Sequence, residues 1–260
     1  MDETRDRRVR PRKIVGALAA GAVAFAGGRV SASDAAAQPL PVAAAATSTA
    51  GGDDTLTQII EDATASIVSV QTVSYSGPFG SQASSSGSGV VIRADGIVLT
   101  NAHVVEGATE VSVTAADGAR LDAAVVGSDP GHDLAILKVD GAGLTPVTIG
   151  GSGDLRLGDT VVALGYPLGL GTTATKGIVS GLDRTIQVGD GPFGANELRG
   201  LLQTDAAINP GNSGGALLDS AGHLVGINTA AASAASAENV GFAVAIDEAL
   251  PIVRDLLQDV

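Results

Sequence analysis

Residues 89–100 read GVVIRADGIVLT, two apolar runs separated by the dipeptide Asp95-Gly96. An Asp-Gly pair between apolar runs is typical of a tight hairpin turn, and both runs contain the β-branched residues that strands favour. Similar short runs continue to about residue 246, and they include the further hairpin candidates Asp117-Gly118 and Ala221-Gly222. Many short strands at regular spacing indicate a β-sandwich or barrel rather than βαβ units.

Helical patterns lie only at the two ends of this strand-rich region. The stretch TLTQIIEDATASIV (55–68) has apolar residues at helical spacing before it becomes β-like, which predicts a short helix leading into a strand. The stretch DEALPIVRDLLQ (247–258) predicts an amphipathic C-terminal helix. Asp247 is a candidate cap for this helix, and Pro251 is tolerable only near its first turn.

The strand-rich region divides into two halves of similar length at LTPVTIGGSGDLRLGD (144–159). Each half has enough strands for one small barrel, and a crevice between two barrels is a natural place for a site. We assign the first barrel to about residues 64–145 and the second to about residues 150–246. The stretch SYSGPFGSQASSSGSG (74–89) is interpreted as a flexible loop.

The N-terminus has the organisation of an export signal. Basic residues precede the apolar run IVGALAAGAVAFA (14–26), and small residues suited to signal cleavage follow in SASDAAAQ (31–38). Residues 1–37 are therefore predicted to be a signal peptide, with an uncut N-terminal membrane anchor as the alternative. Residues 38–54 are predicted to be a disordered linker. Either version predicts an extracytoplasmic protein, in the periplasm, in the cell envelope or secreted.

Composition excludes several classes of function. The chain of 260 residues has 28 acidic and 15 basic side chains, and a net charge of −13 argues against nucleic-acid binding through a basic surface. It has no cysteine, which excludes a disulfide framework and a thiolate metal site. Its three histidines are too few for a His-rich metal site. We predict neither a metal nor a cofactor.

The stretch NPGNSGG (209–215) surrounds one serine, Ser213, with residues that have little to bury. Such a stretch is also good turn chemistry on its own. Its glycines let backbone N–H groups approach a ligand closely, and two donors aimed at one point form an oxyanion hole. A serine there is a nucleophile only if a base lies within hydrogen-bond reach.

Two other stretches supply a base and a carboxylate. TNAHVV (100–105) contains His103, and HDLAILKV (132–139) contains Asp133. Histidine exchanges a proton near neutral pH, and a buried aspartate fixes the tautomer of its ring. His103 as an ordinary half-buried histidine and Asp133 as a turn residue are the simpler alternatives.

His132 and His223 are the rival bases. His223 lies in the predicted hairpin DSAGHLVG, where we expect it to face solvent. His132 directly precedes Asp133, and neighbouring side chains of a strand point to opposite faces, so the two are poorly placed to share a site. His103 is therefore the better candidate.

The stretches TNAHVV, HDLAILKV and QTDAAINPGNSGG together resemble the HtrA/Deg family of trypsin-like serine proteases. GDTVVALGYPLGL, TKGIVSGLDR, LVGINT and NVGFAVAI also resemble its protease domain, so the resemblance covers about residues 55–258. It implies an all-β fold of two antiparallel six-stranded barrels of chymotrypsin type. It also implies a serine endopeptidase in which His103 is the general base, Asp133 orients it and Ser213 is the nucleophile.

The resemblance also implies the substrate contacts. The oxyanion hole is formed by Gly211, Asn212 and Ser213, with the N–H groups of Gly211 and Ser213 as donors. The residues assigned to the substrate-binding (S1) pocket are Ala207, Ile208, Asn228, Ala230 and Ala231. No acidic residue stands there to receive Lys or Arg, since Asp205 lies two positions too early. We predict cleavage after small or medium aliphatic residues.

Unfolded or misfolded proteins are the predicted substrates, because an extended chain can lie along the cleft as a strand. Family members usually form homotrimers through N-terminal segments of the protease domain, and residues 55–80 are the candidates here. Most members carry C-terminal PDZ domains, whereas this chain stops after the helix, so we predict a protease domain only. The alternatives are a catalytically latent binding protein or chaperone on the same fold, and an acyl-transfer enzyme that acts on small esters.

Overall fold

The computed structural model describes residues 53–76, 81–140, 143–167, 171–188, 196–229 and 239–258. The predicted signal peptide or anchor, the linker as far as residue 52, and the predicted pocket residues Ala230 and Ala231 lie outside the described residues. In the part of the chain that is described, no helix has both the length and the apolar character needed to cross a membrane.

Two closed barrels of six antiparallel strands form the body of the protein. The strands of the first are β1 (Ile67–Ser76), β2 (Ser81–Arg93), β3 (Ile97–Thr100), β4 (Glu110–Thr114), β5 (Arg120–Asp129) and β6 (Leu134–Val139). They neighbour one another in the order β1-β2-β3-β6-β5-β4, and β4 closes the ring on β1.

The second barrel repeats this plan. Its strands are β7 (Thr160–Gly165), β8 (Thr173–Val188), β9 (Asn196–Thr204), β10 (Ala216–Leu218), β11 (Leu224–Thr229) and β12 (Gly241–Ala245). Their order is β7-β8-β9-β12-β11-β10, and β10 closes the ring on β7. The predicted all-β fold of two six-stranded barrels is confirmed. The three predicted hairpin turns join the antiparallel pairs β2–β3, β4–β5 and β10–β11.

Many strands are continuous apolar runs in the sequence, and three apolar clusters in the structure account for this pattern. One cluster belongs to the first barrel and includes Val91 and Leu137, and another belongs to the second and includes Ala163 and Leu217. A third cluster draws residues from both barrels and from the C-terminal helix. Successive residues of a strand face opposite sides, so a strand with one face in its barrel and the other between the barrels is buried on both. Leu134–Val139 shows this pattern, with every residue buried except a half-buried Lys138.

In the described part of the chain, three helices accompany the barrels: α1 (Asp53–Thr64), α2 (Ala102–Val105) and α3 (Ile246–Leu256). The first leads into β1, and α3 follows β12 directly. Asp247 is not the cap of α3, because that helix begins at Ile246. The Asp247 carboxylate instead accepts the N–H groups of Ser152 (3.0 Å) and Gly153 (2.7 Å), which ties the connection between the barrels to α3.

Pro251 lies inside α3, beyond its first turn. Because proline has no backbone N–H, one helical hydrogen bond is missing there. Pro251 thus lies further into the helix than the sequence predicted. The burial of Ala249 and Val253 on either side of it holds the helix against the barrels. Tertiary packing here outweighs the local preference of proline.

Residues 81–89 are not the flexible loop that the composition indicated. They form the first part of β2, which pairs with β1 from Ile67–Val90 to Ser76–Ser81. Serine and glycine are poor strand formers, so their abundance concealed a strand that is held by its partner. Ser88 consequently becomes a fully buried strand residue.

Candidate active site

His103 lies on the single helical turn α2, which follows the end of β3. Its Nδ1 atom is 2.9 Å from both carboxylate oxygens of Asp133. An ionised carboxylate only accepts hydrogen bonds, so Nδ1 carries the ring proton of the neutral imidazole and Nε2 keeps the free lone pair. The imidazole side chain is 37% exposed, which leaves it accessible to a substrate.

Asp133 is buried, and three donors meet its carboxylate. Besides the ring of His103, these are the backbone N–H of His103 (3.1 Å) and the hydroxyl of Thr229 (2.8 Å). Asp133 has φ of +55°, which is uncommon for a residue with a side chain. The side-chain amide of Asn101 donates to its backbone carbonyl at 2.9 Å and holds this conformation. The carboxylate is thus fixed before any substrate arrives.

The loop that carries Ser213 is bonded to both barrels. The carbonyl of Ser213 accepts the N–H of Ser88 from β2 at 2.8 Å. The N–H of Gly214 donates to the carbonyl of Asn228, and the N–H of Asn228 donates to the carbonyl of Gly215, both at 2.9 Å. Thr229, the donor to the carboxylate, follows Asn228 directly. One strand, β11, therefore holds both the serine loop and the buried carboxylate.

Gly214 brings the serine loop against the segment that carries the histidine. Its φ is +81°, and a methyl group here would overlap the carbonyl of Ser88 and the hydroxyl of Thr100. Thr100 is three positions before His103. Only glycine permits this close approach, so position 214 of NPGNSGG requires glycine for steric reasons.

The peptide that joins Gly211 to Asn212 is hydrogen-bonded through both its carbonyl and its N–H. The carbonyl of Gly211 accepts the hydroxyl of Ser88 at 2.6 Å, and the N–H of Asn212 donates to the carbonyl of Asn209 at 2.9 Å. Asn212 therefore contributes no free backbone donor to an oxyanion hole. The assignment of the N–H groups of Gly211 and Ser213 as the donors stays a prediction. Gly211 has φ of +106°.

The predicted pocket residues have different surroundings. Ala207 is exposed, and Ile208 is 5% exposed within the second barrel's apolar cluster. Ile208 packs so closely on Gly241 that a methyl group there would lie 2.5 Å from its Cγ1. Asn228 was predicted to form part of the pocket wall, but its side chain is fully buried. Its amide donates to the carbonyls of Ala216 (2.8 Å) and Leu164 (3.2 Å), so the side chain joins β10 to β7.

The rival histidines each pair with a local aspartate. His132 Nδ1 is 2.7 Å from Asp129 Oδ2, and His223 Nδ1 is 3.5 Å from Asp219 Oδ2. Both side chains are nearly half exposed. Neither arrangement connects them to the serine loop. Over the described ranges no group of three or more His, Asp or Glu side chains could hold a metal ion.

Sequence reasoning missed three residues that support this site: Ser88, Asn101 and Thr229. Asn101 and Thr229 lie inside the motifs TNAHVV and LVGINT, where a polar residue at the end of an apolar strand was an available signal. Ser88 lies in a serine- and glycine-rich stretch with no distinguishing pattern. Only the fold shows that it contacts the serine loop.

Comparisons with known proteins identify the family to which the chain belongs. Residues 87–227 match the family described as trypsin-like peptidase domain. The chain is 42% identical over 219 residues to "Serine protease Do-like HtrA" of Bacillus subtilis (strain 168), which covers 78% of this chain and 48% of the relative. It is 42% identical over 174 residues to "Probable periplasmic serine endoprotease DegP-like" of Halomonas elongata, covering 66% of this chain and 35% of that protein.

The solved structure "HtrA-type protease AlgW with tripeptide" is also similar. It shares 38% identity with a TM-score of 0.66, over 78% of this chain and 64% of that one. The chain thus spans about half of the Bacillus relative and about a third of the Halomonas relative. The match to the family extends over more than half of the chain and includes the segments that carry His103, Asp133 and Ser213. The chain belongs to the trypsin-like peptidase family, and its protease domain is of the HtrA type.

Proposed function

We propose that residues 55–258 form a serine endopeptidase in which His103, Asp133 and Ser213 are the catalytic triad. The observation that carries the proposal is the buried Asp133 carboxylate, bonded at once to the His103 ring and to Thr229. The same strand that supplies Thr229 also binds the Ser213 loop through its backbone. If Asp133 were only a turn residue and His103 an ordinary histidine, there would be no reason for their side chains to be bonded to each other and to the strand that holds the Ser213 loop.

The chemistry follows from these positions. Nε2 of His103 takes the hydroxyl proton of Ser213 as Oγ attacks the carbonyl carbon of the scissile peptide bond. Asp133 stabilises the imidazolium that forms, and the N–H groups of Gly211 and Ser213 bind the oxyanion. The imidazolium then gives its proton to the leaving amine, which departs as the C–N bond breaks and leaves the acyl group on Ser213 as an ester. His103 next takes a proton from water as the water attacks this ester, and it returns that proton to Ser213 Oγ as the carboxylic acid product departs.

Small or medium aliphatic residues are the proposed preference at the P1 position, whose carbonyl is attacked. Ile208 packs directly on Gly241, which supports a shallow and apolar pocket. Asp205, the acidic residue nearest to Ala207 and Ile208 in the sequence, accepts the N–H of Ile178 at 2.7 Å and so has a structural partner. An open recess of about 310 Å³ beside His103 supports an apolar substrate as well. Among the residues that line it are Val105, Val125, Val188 and Leu198.

Unfolded or misfolded extracytoplasmic proteins are the proposed substrates. An unfolded chain exposes aliphatic residues and can extend along a cleft, which a folded domain does not do. The word "periplasmic" in the name of the Halomonas relative supports an extracytoplasmic location. A homotrimer built through residues 55–80 and a membrane tether through residues 1–37 stay predictions. Sedimentation analysis and membrane fractionation of the full chain test them.

The experiment is degradation of a reduced, unfolded protein by the purified chain, with Ser213→Ala beside it and fragments mapped by mass. We expect cleavage by wild type alone, mainly after Val, Ile, Leu or Ala. Labelling with a fluorophosphonate, which reacts with activated serines, should modify residue 213. Labelling without proteolysis would favour an esterase. If the chain is neither labelled nor able to cleave, the result would favour a binding protein. Equal cleavage by both variants would exclude Ser213 as the nucleophile.

A further inference from the structure

Ser88 makes four hydrogen bonds at the junction of the two barrels. Its N–H donates to the carbonyl of Ser213 at 2.8 Å, and its own carbonyl accepts the hydroxyl of Thr100 at 2.7 Å. Its hydroxyl lies 2.6 Å from the carbonyl of Gly211 and 2.7 Å from the N–H of Tyr166. The residue is fully buried, so water does not compete for these bonds.

The direction of each hydroxyl bond follows from its partner. The Tyr166 N–H can only donate, so it binds a lone pair of Ser88 Oγ. The Gly211 carbonyl can only accept, so it receives the single hydroxyl proton. Ser88 is thereby held in one rotamer by a partner at the end of β7 and a partner in the nucleophile loop. A buried hydroxyl that both donates and accepts a hydrogen bond in this way holds that loop in one position.

The bond to Gly211 acts on the backbone that presents the oxyanion donors. With the Gly211 carbonyl held by Ser88 and the Asn212 N–H held by Asn209, the peptide between them cannot rotate. The space around it is also filled, because a methyl group on Gly165 would lie 2.6 Å from Asn212 Oδ1 and 3.0 Å from Ser88 Oγ. The N–H groups of Gly211 and Ser213 belong to the two neighbouring peptides, so this fixed peptide restrains each of them from one side.

We propose that Ser88 is a positioning residue that holds the Gly211–Asn212 peptide in the orientation required for the oxyanion hole. It also links that loop to Thr100, at the end of the strand that leads to the histidine. The inference rests on the proposed endopeptidase activity and adds to it a residue from the opposite barrel. Ser88 touches no reacting atom, so its effect reaches the reaction only through the loop.

The chain contains a matched control for this residue. Ser69 lies directly opposite Ser88 in the β1–β2 pairing and is equally buried. Its hydroxyl has no hydrogen-bond partner among the described residues. Ser69→Ala and Ser88→Ala therefore make the same change at the same depth. They differ in whether a bond to the nucleophile loop is lost.

The experiment compares kcat and KM of full-length wild type, Ser88→Ala and Ser69→Ala on a peptide with valine at P1. For Ser88→Ala we expect kcat to fall by about 10–100-fold, less than the about 10²–10³-fold that follows complete loss of an oxyanion donor. KM should change by less than about threefold, because the bond concerns the transition state. Ser69→Ala should match wild type. A peptide boronic acid, whose tetrahedral adduct fills the oxyanion hole, should bind Ser88→Ala more weakly by a factor similar to the loss in kcat.

Wild-type kcat in a folded Ser88→Ala, or an equal loss in Ser69→Ala, would overturn the inference. If circular dichroism shows that Ser88→Ala does not fold, Ser88→Cys replaces it. Its thiol occupies a similar space but is a weak donor, so kcat must fall by at least about threefold, and an unchanged kcat would again overturn the inference. Failure of wild type to cleave in a Ser213-dependent way would instead refute the proposed function.

Discussion

Replacement of Thr229 by valine tests whether the buried carboxylate depends on its third partner. The hydroxyl of Thr229 donates to Asp133 Oδ2 at 2.8 Å, and both residues are buried. Valine has nearly the same shape, so the change removes the hydroxyl with little effect on packing. Among the described residues, the Asp133 carboxylate then keeps two bonds, from the ring N–H and the backbone N–H of His103.

The size of the effect follows from the charge of the acceptor. A hydrogen bond to a charged group contributes about 1.5–3 kcal/mol, and the missing donor cannot be replaced by water at a buried site. In the proposed mechanism Asp133 stabilises an imidazolium in the transition state, so a carboxylate held less firmly should raise the barrier. Since about 1.4 kcal/mol corresponds to a tenfold change in rate, kcat/KM should fall by about 10–100-fold.

The assay is kcat/KM on a peptide with valine at P1, measured together with thermal unfolding. Thr64→Val is the control, because it removes a partly buried threonine hydroxyl bond, to the carbonyl of Ile60 at 2.6 Å, far along the chain from the site. Thr229→Val with wild-type kcat/KM would show that the carboxylate does not depend on this bond. An equal loss in Thr64→Val would show that the effect is a general loss of stability.

Three further predictions concern the carboxylate, the pocket and the glycine loop. Asp133→Asn should lower kcat by about 10⁴-fold, because an amide favours the wrong ring tautomer, whereas Asp129→Asn, beside an exposed histidine, should keep full activity in the same assay. Ile208→Ala should raise the kcat/KM ratio of leucine over valine at P1 by about tenfold or more, and an unchanged ratio in a set of peptides would remove Ile208 from the pocket. Gly214→Ala should lower both the unfolding temperature and the activity more than Gly118→Ala does, because φ is similar at the two positions (+81° and +86°) but only the first added methyl group meets other atoms.

Local patterns were sufficient to predict a β-sandwich or barrel, whereas the two six-stranded barrels were predicted from the family resemblance. Short runs such as GVVIRADGIVLT carry their own turn residues, and each such turn joins two strands that are adjacent in the barrel. The helices at the ends have apolar spacing that is independent of tertiary contacts. Residues 81–89, predicted as part of a flexible loop, show the opposite case. Their serines and glycines form a strand only because β1 pairs with them, and amino-acid composition does not reveal that pairing.

The candidate site was predictable only where a side chain carries the chemistry itself. His103, Asp133 and Ser213 lie in recognisable motifs, and the structure joins the first two directly. Asn228 shows the limit, since the motif indicated its neighbourhood but not the direction of its side chain. It is turned inward to bond two carbonyls, while its backbone holds the serine loop. Which face of a strand a residue occupies depends on register, which long-range pairing determines.

The placement of the supporting residues explains how two separate barrels can hold one catalytic geometry. Thr229 reaches from the second barrel to Asp133 of the first, and Ser88 reaches from the first barrel to the nucleophile loop of the second. Each barrel therefore holds a group that belongs to the other, and the apolar cluster shared by both keeps the two contacts in register. When one of these two bonds is lost, the other still restrains movement of one barrel against the other at the site. Loss of both hydroxyls should accordingly cost more activity than the product of the two single losses, because neither bond is then left to compensate for the other.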